Sequence, residues 1–269
     1  MYKTKEKRTI VYSDELNDDF SPTNNKIKAK KISGDYDYLK DKRPVWKFFR
    51  FVFYRIIATP VAFVFMRFKG LKIKNRKVLK QLKSGYVLYG NHTQTAGDAF
   101  TPSLVTFPRR ANILVSSDAV SIPFVGKFVP LACGIPVPDD LAATKNLHKA
   151  MGKLLKKGQT IVVYPEAHIW PYYNGIRDFS ASSFAYPFSF GVPAVGFAVT
   201  YRQRKIFKNG KPLVTVTVSE PVYPEDCANK REMRDKIYCF MKATAERENS
   251  YAYINYIKKE EKNESDGCL

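Results

Sequence analysis

Five short apolar runs, spaced by stretches of helical periodicity, constrain this chain more than any other feature. They occupy residues 85–90 (GYVLYG), 111–115 (ANILV), 160–164 (TIVVY), 192–200 (VPAVGFAVT) and 213–218 (LVTVTV). Only the last alternates with the period of two that marks a strand with one wet face. The others read as unbroken apolar strands, the pattern of a sheet buried on both sides. Between them, TKNLHKAMGKLLKK (144–157) places apolar residues at helical spacing and closes on Gly158, a C-terminal cap. KNRKVLKQLKSG predicts a short basic helix, and a last helix is predicted from Asp226, as its N-cap, to about Tyr256. Strands alternating with helices predict an α/β fold with a mostly parallel central sheet flanked by helices.

The composition divides the chain into four stretches. Residues 1–43 are polar and lysine-rich, which predicts a loosely ordered basic arm. Residues 44–70 (PVWKFFRFVFYRIIATPVAFVFMRFKG) change abruptly to aromatic rings interleaved with Lys47, Arg50 and Arg55. The uncharged run inside this segment covers only residues 56–66 and contains Pro60. A membrane-crossing helix needs roughly 20 apolar residues. The segment is therefore expected to be helical and to lie at the headgroup boundary of a bilayer, where aromatic rings and snorkelling cations are at home. Residues 71–256 form the expected folded domain, and 257–269 a charged tail.

The charge balance narrows the partners. Lys and Arg number 45 against 25 Asp and Glu, a formal net charge of +20, which predicts an anionic partner. No helix-turn-helix, zinc-finger or RNA-recognition motif accompanies that charge, so lipid or a phosphorylated substrate is expected and nucleic acid is not. Cys133, Cys227, Cys239 and Cys268 are scattered with no CxxC pair, so reduced thiols and no metal site are expected. The first 20 residues lack the apolar core of a signal peptide, and the cytoplasmic side of the membrane is the expected location.

Chemistry in an open α/β sheet gathers where strands end at their carboxyl side. The run 85–90 ends in Asn91-His92-Thr93-Gln94-Thr95-Ala96-Gly97-Asp98, and the run 160–164 in Pro165-Glu166-Ala167-His168. An imidazole with a nearby carboxylate can act as a general base, the carboxylate fixing the tautomer and stabilising the imidazolium. Glu166, directly after an apolar strand and a proline, is poorly placed for a core and is a second candidate.

In their order and distance, NHTQTAGD (91–98), YPEAHIW (164–170) and GVPAVGF (191–197) resemble the conserved blocks of the glycerol-3-phosphate and lysophosphatidate acyltransferase family. IPFVG (122–126) and GIPV (134–137) are similar to its intermediate block. The resemblance covers residues 45–245. It implies that His92 deprotonates an acceptor hydroxyl, which attacks the thioester of acyl-CoA or acyl carrier protein without a covalent acyl-enzyme. It implies that Asp98 orients His92 and that Glu166 helps hold the acceptor, 1-acyl-glycerol-3-phosphate or another lysophospholipid. No cofactor beyond the acyl thioester is implied, and membrane lipids are the implied partners.

The chain departs from that pattern three times, and at one of them Pro138-Asp139-Asp140 stand where the intermediate block carries a basic residue after its strand. Five residues rather than four separate His92 from Asp98, a difference Gly97 is expected to absorb in a bulge. Ala167-His168-Ile169 stand where the family has Gly-Thr-Arg, so the implied phosphate-binding arginine is missing; His168, Arg177, Arg109 and Arg110 are the candidate replacements. An acceptor without phosphate, or a non-catalytic lipid-binding protein of the same fold, are the alternatives. The remaining histidine, His148, is expected at the surface of a helix.

Overall fold

The computed structural model describes residues 8–21, 27–39 and 43–259. In chain order these form β1 (Arg8–Tyr12), α1 (Pro44–Val52), α2 (Thr59–Phe68), β2 (Lys72–Lys74), α3 (Val78–Gln81), β3 (Tyr86–Gly90), α4 (Gly97–Thr106) and β4 (Ala111–Val115). There follow β5 (Gly134–Pro136), α5 (Leu141–Lys156), β6 (Thr160–Val163), α6 (Ala185–Phe190), β7 (Ala194–Arg202), β8 (Leu213–Val218), α7 (Lys230–Glu248) and β9 (Ile254–Lys258). All five apolar runs are strands of one seven-stranded sheet, ordered β2-β8-β7-β3-β6-β4-β5. β3, β4, β5, β6 and β7 run parallel. β8 lies antiparallel to β7, and β2 pairs parallel to β8. The sheet is mostly parallel, as the strand–helix alternation predicts.

Helices cover both faces. On one, α5 and α7 bury Leu147, Met151, Ile237 and Met241 against β3, β6 and β7. On the other, α2, α3 and α4 bury Met66, Leu79 and Val105 against the same strands. α5 starts on Asp140, whose side chain accepts from the Ala143 N–H, and stops before Gly158, which has a φ of 70°. Its His148 stacks on Phe190.

Three expectations are corrected. The last helix begins at Lys230, capped by the Asn229 side chain, and ends at Glu248 rather than near Tyr256. Asn249 stops it by turning its amide back onto the Ala245 carbonyl and offering its oxygen to the Tyr201 N–H. The alternating Tyr251–Ile257 stretch then continues as strand β9. Second, the described part of the arm is packed rather than loose. β1 pairs with β9 in parallel from Arg8 opposite Ile254 to Tyr12 opposite Lys258. Tyr12, Phe20 and Tyr256 gather around the fully buried Trp170. Residues 1–7, 22–26 and 40–42 of the arm, and 260–269 of the tail with Cys268, lie outside the described residues.

Third, the helix of the segment 44–70 extends well beyond its uncharged run of 56–66. Helical structure is continuous from Pro44 to Phe68, 25 residues, long and apolar enough by those two criteria to cross a membrane. A proline removes one ladder donor and its ring presses on the carbonyl four residues back. Here a π-helical turn, Phe53–Ala58, precedes it; the Thr59 N–H reaches the Tyr54 carbonyl, five residues back. The widened turn makes room for the ring.

Candidate active site

β3 delivers the first half of the site. Its pairing with β7 ends at Gly90 opposite Phe197. A side chain at Gly90 would meet the Phe197 ring at 2.0 Å, so only glycine permits this approach. Beyond it the buried Asn91 amide replaces the backbone ladder: its Nδ2 donates to the Val199 carbonyl and its Oδ1 accepts from the Val199 N–H. One side chain satisfies both peptide groups of β7 and leaves the following main chain free to turn. The residue that turns outward is His92.

His92 is held from several sides. Its N–H points at Glu166 Oε2 (3.4 Å), its carbonyl accepts from the Trp170 N–H, and its ring stacks on Tyr164 with centroids 4.6 Å apart. Nδ1 lies 2.7 Å from Asp98 Oδ2, which also accepts from the Gln94 N–H. The imidazole remains 24% exposed while the Asp98 side chain is 4% exposed. With Nδ1 bound to the carboxylate, Nε2 is the nitrogen left to meet a substrate.

The extra residue between His92 and Asp98 is absorbed differently from the expectation. Residues 95–96 form a turn and α4 begins at Gly97, with the Asp98 N–H closing onto the Gln94 carbonyl. Gly97 has no positive φ. Its role is steric: an added Cβ would sit 2.3 Å from Gln94 Oε1. The Gln94 side chain crosses over Gly97 to Thr101, and the tightened turn swings Asp98 under the ring. Tyr164 completes the mount by donating its hydroxyl to the Asp98 carbonyl at 2.7 Å.

Burial raises the pKa of Asp98 above its usual value of 3.8, and the hydrogen bond and charge of His92 oppose that rise. Such a carboxylate is expensive to ionise and is stabilised by the imidazolium that forms when His92 takes a proton.

The Glu166 carboxylate is buried. Its side chain is 0% exposed and pairs with that of Arg177, 1% exposed, at 3.1 Å. Burial raises its pKa and the Arg177 charge opposes this. Arg177 also donates to the His168 and Glu15 carbonyls and lies over Trp170. Arg177 thus serves the interior, and Glu166 positions the His92 main chain. Arg109 and Arg110 precede β4, at the opposite end of the sheet from His92. Arg109 donates there to the Ser84, Leu82 and Gly158 carbonyls. His168 is partly exposed on the loop beside Glu166, its N–H on the Glu166 carbonyl. None of the four arginine and histidine candidates brings a cation to the dyad. Among the described residues, no three His, Cys, Asp or Glu side chains gather into a metal-ligand set.

Three supports of the site, Asn91, Gln94 and Tyr164, stand inside the recognised motifs, yet their spacing gives no sign of their roles. Each acts through a partner distant in sequence or through a turn.

Comparison with known proteins agrees with this geometry. The acyltransferase family model matches residues 70–200, which hold His92, Asp98 and Glu166. No curated protein sequence matches the chain. Among solved structures, the fold is similar to the crystal structure of the 1-acyl-sn-glycerophosphate (LPA) acyltransferase PlsC from Thermotoga maritima. The two are 17% identical, with a TM-score of 0.52 over 78% of this chain and 82% of that one. The PlsC-like sheet thus carries its histidine–aspartate dyad at the end of its central strand, within the segment that the acyltransferase family model matches.

Proposed function

We propose that the protein transfers a fatty acyl group from acyl-CoA or acyl carrier protein to a hydroxyl of a lysophospholipid, 1-acyl-glycerol-3-phosphate or a close relative, at the cytoplasmic surface of a membrane. The observation that carries this reading is the His92 Nδ1–Asp98 contact of 2.7 Å on a ring that still reaches solvent. Asp98 holds the proton on Nδ1. Nε2 takes the hydroxyl proton as the acceptor oxygen attacks the thioester carbonyl. When the tetrahedral adduct collapses, the C–S bond breaks and the thiolate takes that proton back from the imidazolium. Ester and thiol are the products, and His92 returns to its starting state.

The helical segment supports the membrane side of the reading. Phe48, Ile56, Phe63 and Phe68 are exposed along it, while Tyr54, Ala62 and Met66 are buried against the domain. Arg55 is tied to the Pro108 carbonyl. A helix with one face on a polar domain is suited to lie in the interface rather than to cross it. Phe53 stacks on Phe128, which packs against Phe124. Phe124 is 76% exposed and holds a φ of 64°; the strained backbone keeps a large apolar ring in water, as a lipid-inserting tip requires.

The test is acyl transfer by purified protein with labelled acyl thioester and a panel of lipid hydroxyl acceptors. Transfer that depends on His92 supports the proposal. Equal rates for the protein and its His92→Ala variant on every acceptor would refute it.

A further inference from the structure

Past Phe68 the chain leaves α2 and enters β2 through Lys69, Gly70 and Leu71. β2 runs against β3, because β2 pairs parallel to β8 and β8 antiparallel to β7. The start of β2 therefore lies at the end of the sheet where β3 stops and His92 begins. The Lys69 ammonium sits 4.8 Å from the centre of the Phe65 ring. Phe65 in turn packs on Phe100, centroids 5.2 Å apart, two residues after Asp98 on α4. Thr101 on the same turn touches the Met66 sulfur at 3.9 Å. Lys69 is thus wedged beside the first turn of α4.

No acidic side chain among the described residues pairs with Lys69. More positive charge converges instead. Arg202, the last residue of β7, donates to the Gly70 carbonyl at 3.0 Å, and Arg204 to the Phe68 carbonyl at 3.1 Å. Burial lowers the Lys69 pKa; Asp98 raises it and Lys211 lowers it further, so Lys69 lies within Coulomb range of the dyad. A half-buried cation among like charges, with an aromatic ring but no acid beside it, is costly unless an anion visits it.

We propose that Lys69, flanked by Arg202 and Arg204, binds a phosphate group of the substrate next to the His92–Asp98 dyad. The assignment rests on the acyl-transfer reading. It places the phosphate where the apolar helix ends, since Phe68, the neighbouring residue, is 77% exposed. A lipid whose chains lie along that helix would set its phosphate at Lys69 and its hydroxyl before His92. The same phosphate chemistry is carried by the phosphopantetheine arm of the thioester donor, and kinetics separate the two sources.

The test compares the full chain with Lys69→Met, which keeps the stem against Phe65 and removes the charge, and with Lys69→Arg. Acceptors are 1-acyl-glycerol-3-phosphate and the phosphate-free 1-acyl-glycerol in mixed micelles. A tenfold or greater rise in KM for the phosphorylated acceptor alone, reversed by Lys69→Arg, supports the site and assigns it to the acceptor. A rise in KM for the thioester with either acceptor supports the site and assigns it to the donor. Unchanged KM for both substrates in a variant with an unaltered circular dichroism spectrum overturns the proposal. Should no acceptor be acylated, the acyl-transfer reading is what has failed. Isothermal titration with glycerol 3-phosphate then decides Lys69: binding lost in Lys69→Met supports the site, and equal or absent binding overturns it.

Discussion

The molecule holds two buried carboxylates beyond the ends of neighbouring strands, and they face different partners. Asp98 faces a histidine whose ring is partly open to solvent; Glu166 faces an arginine as buried as itself. Burial raises the pKa of both. The difference lies in the partner. An imidazole can gain or lose its proton during a reaction and reaches the surface to do so. A guanidinium stays charged, and here it donates to two main-chain carbonyls besides the carboxylate. A buried ion pair at a strand end is therefore not by itself a catalytic sign. Exposure of one partner and its capacity to exchange a proton distinguish the pair proposed to react from the buried one.

The comparison breaks most sharply at His92. Replacing it by Ala removes the general base and should lower kcat by roughly 100- to 10,000-fold, with a melting temperature within a few degrees of the parent, as read by acyl-transfer assay and calorimetry. Arg177→Met should do the reverse. Leaving Glu166 buried and unpaired costs about 3–5 kcal/mol of stability, seen as a fall in the denaturant midpoint. The double variant Glu166→Gln/Arg177→Met should recover much of that loss, because no buried charge remains. A single variant as stable as the parent would show that the pair is solvated in solution.

Asp98→Asn tests the reacting pair from its other side. Its folded pKa lies above 3.8, so the folded chain binds this proton more tightly than the unfolded one. The group's contribution to stability is full below 3.8 and is lost as pH rises through the raised value. At neutral pH the ionised carboxylate is a cost, so the asparagine variant should melt no lower than the parent. Its activity should drop roughly tenfold or more, since the amide neither selects the Nδ1–H tautomer nor stabilises the imidazolium. The parent should lose activity in acid at a pH above the range of an exposed aspartate. The smallest effect belongs to Tyr164→Phe. Loss of one hydrogen bond to the Asp98 carbonyl is worth about 1 kcal/mol, a few-fold in rate, with the ring stack on His92 kept.

Much of this was legible before any coordinates. The five apolar runs, the cap at Gly158 and the order of the NHTQTAGD and YPEAHIW segments depend on residues adjacent in sequence, and each appears in the fold as a strand, a helix end or a site loop. Where the reading erred, a distant partner decided the outcome. The helix expected to reach Tyr256 stops because Asn249 is claimed by Tyr201, 48 residues away, and Ile254–Lys258 pairs with Arg8–Tyr12. The alternation of YAYINYI carried a strand signal, outweighed by helix-forming residues before it. The full span of the helix through Pro60 was not legible because a ladder that widens to accommodate a proline leaves no local mark.

What the amino-acid order determined alone was the layered α/β architecture, the amphipathic aromatic helix and the order of the segments that carry His92 and Asp98, since periodicity and motif spacing are local properties of the chain. Tertiary structure decided which charges meet. It put Arg177 on Glu166, sent Arg109 to the far end of the sheet, and left Lys69 with no acid to pair with among the described residues. Charge energy in a protein depends on distance and burial, and neither exists until strands distant in sequence have paired.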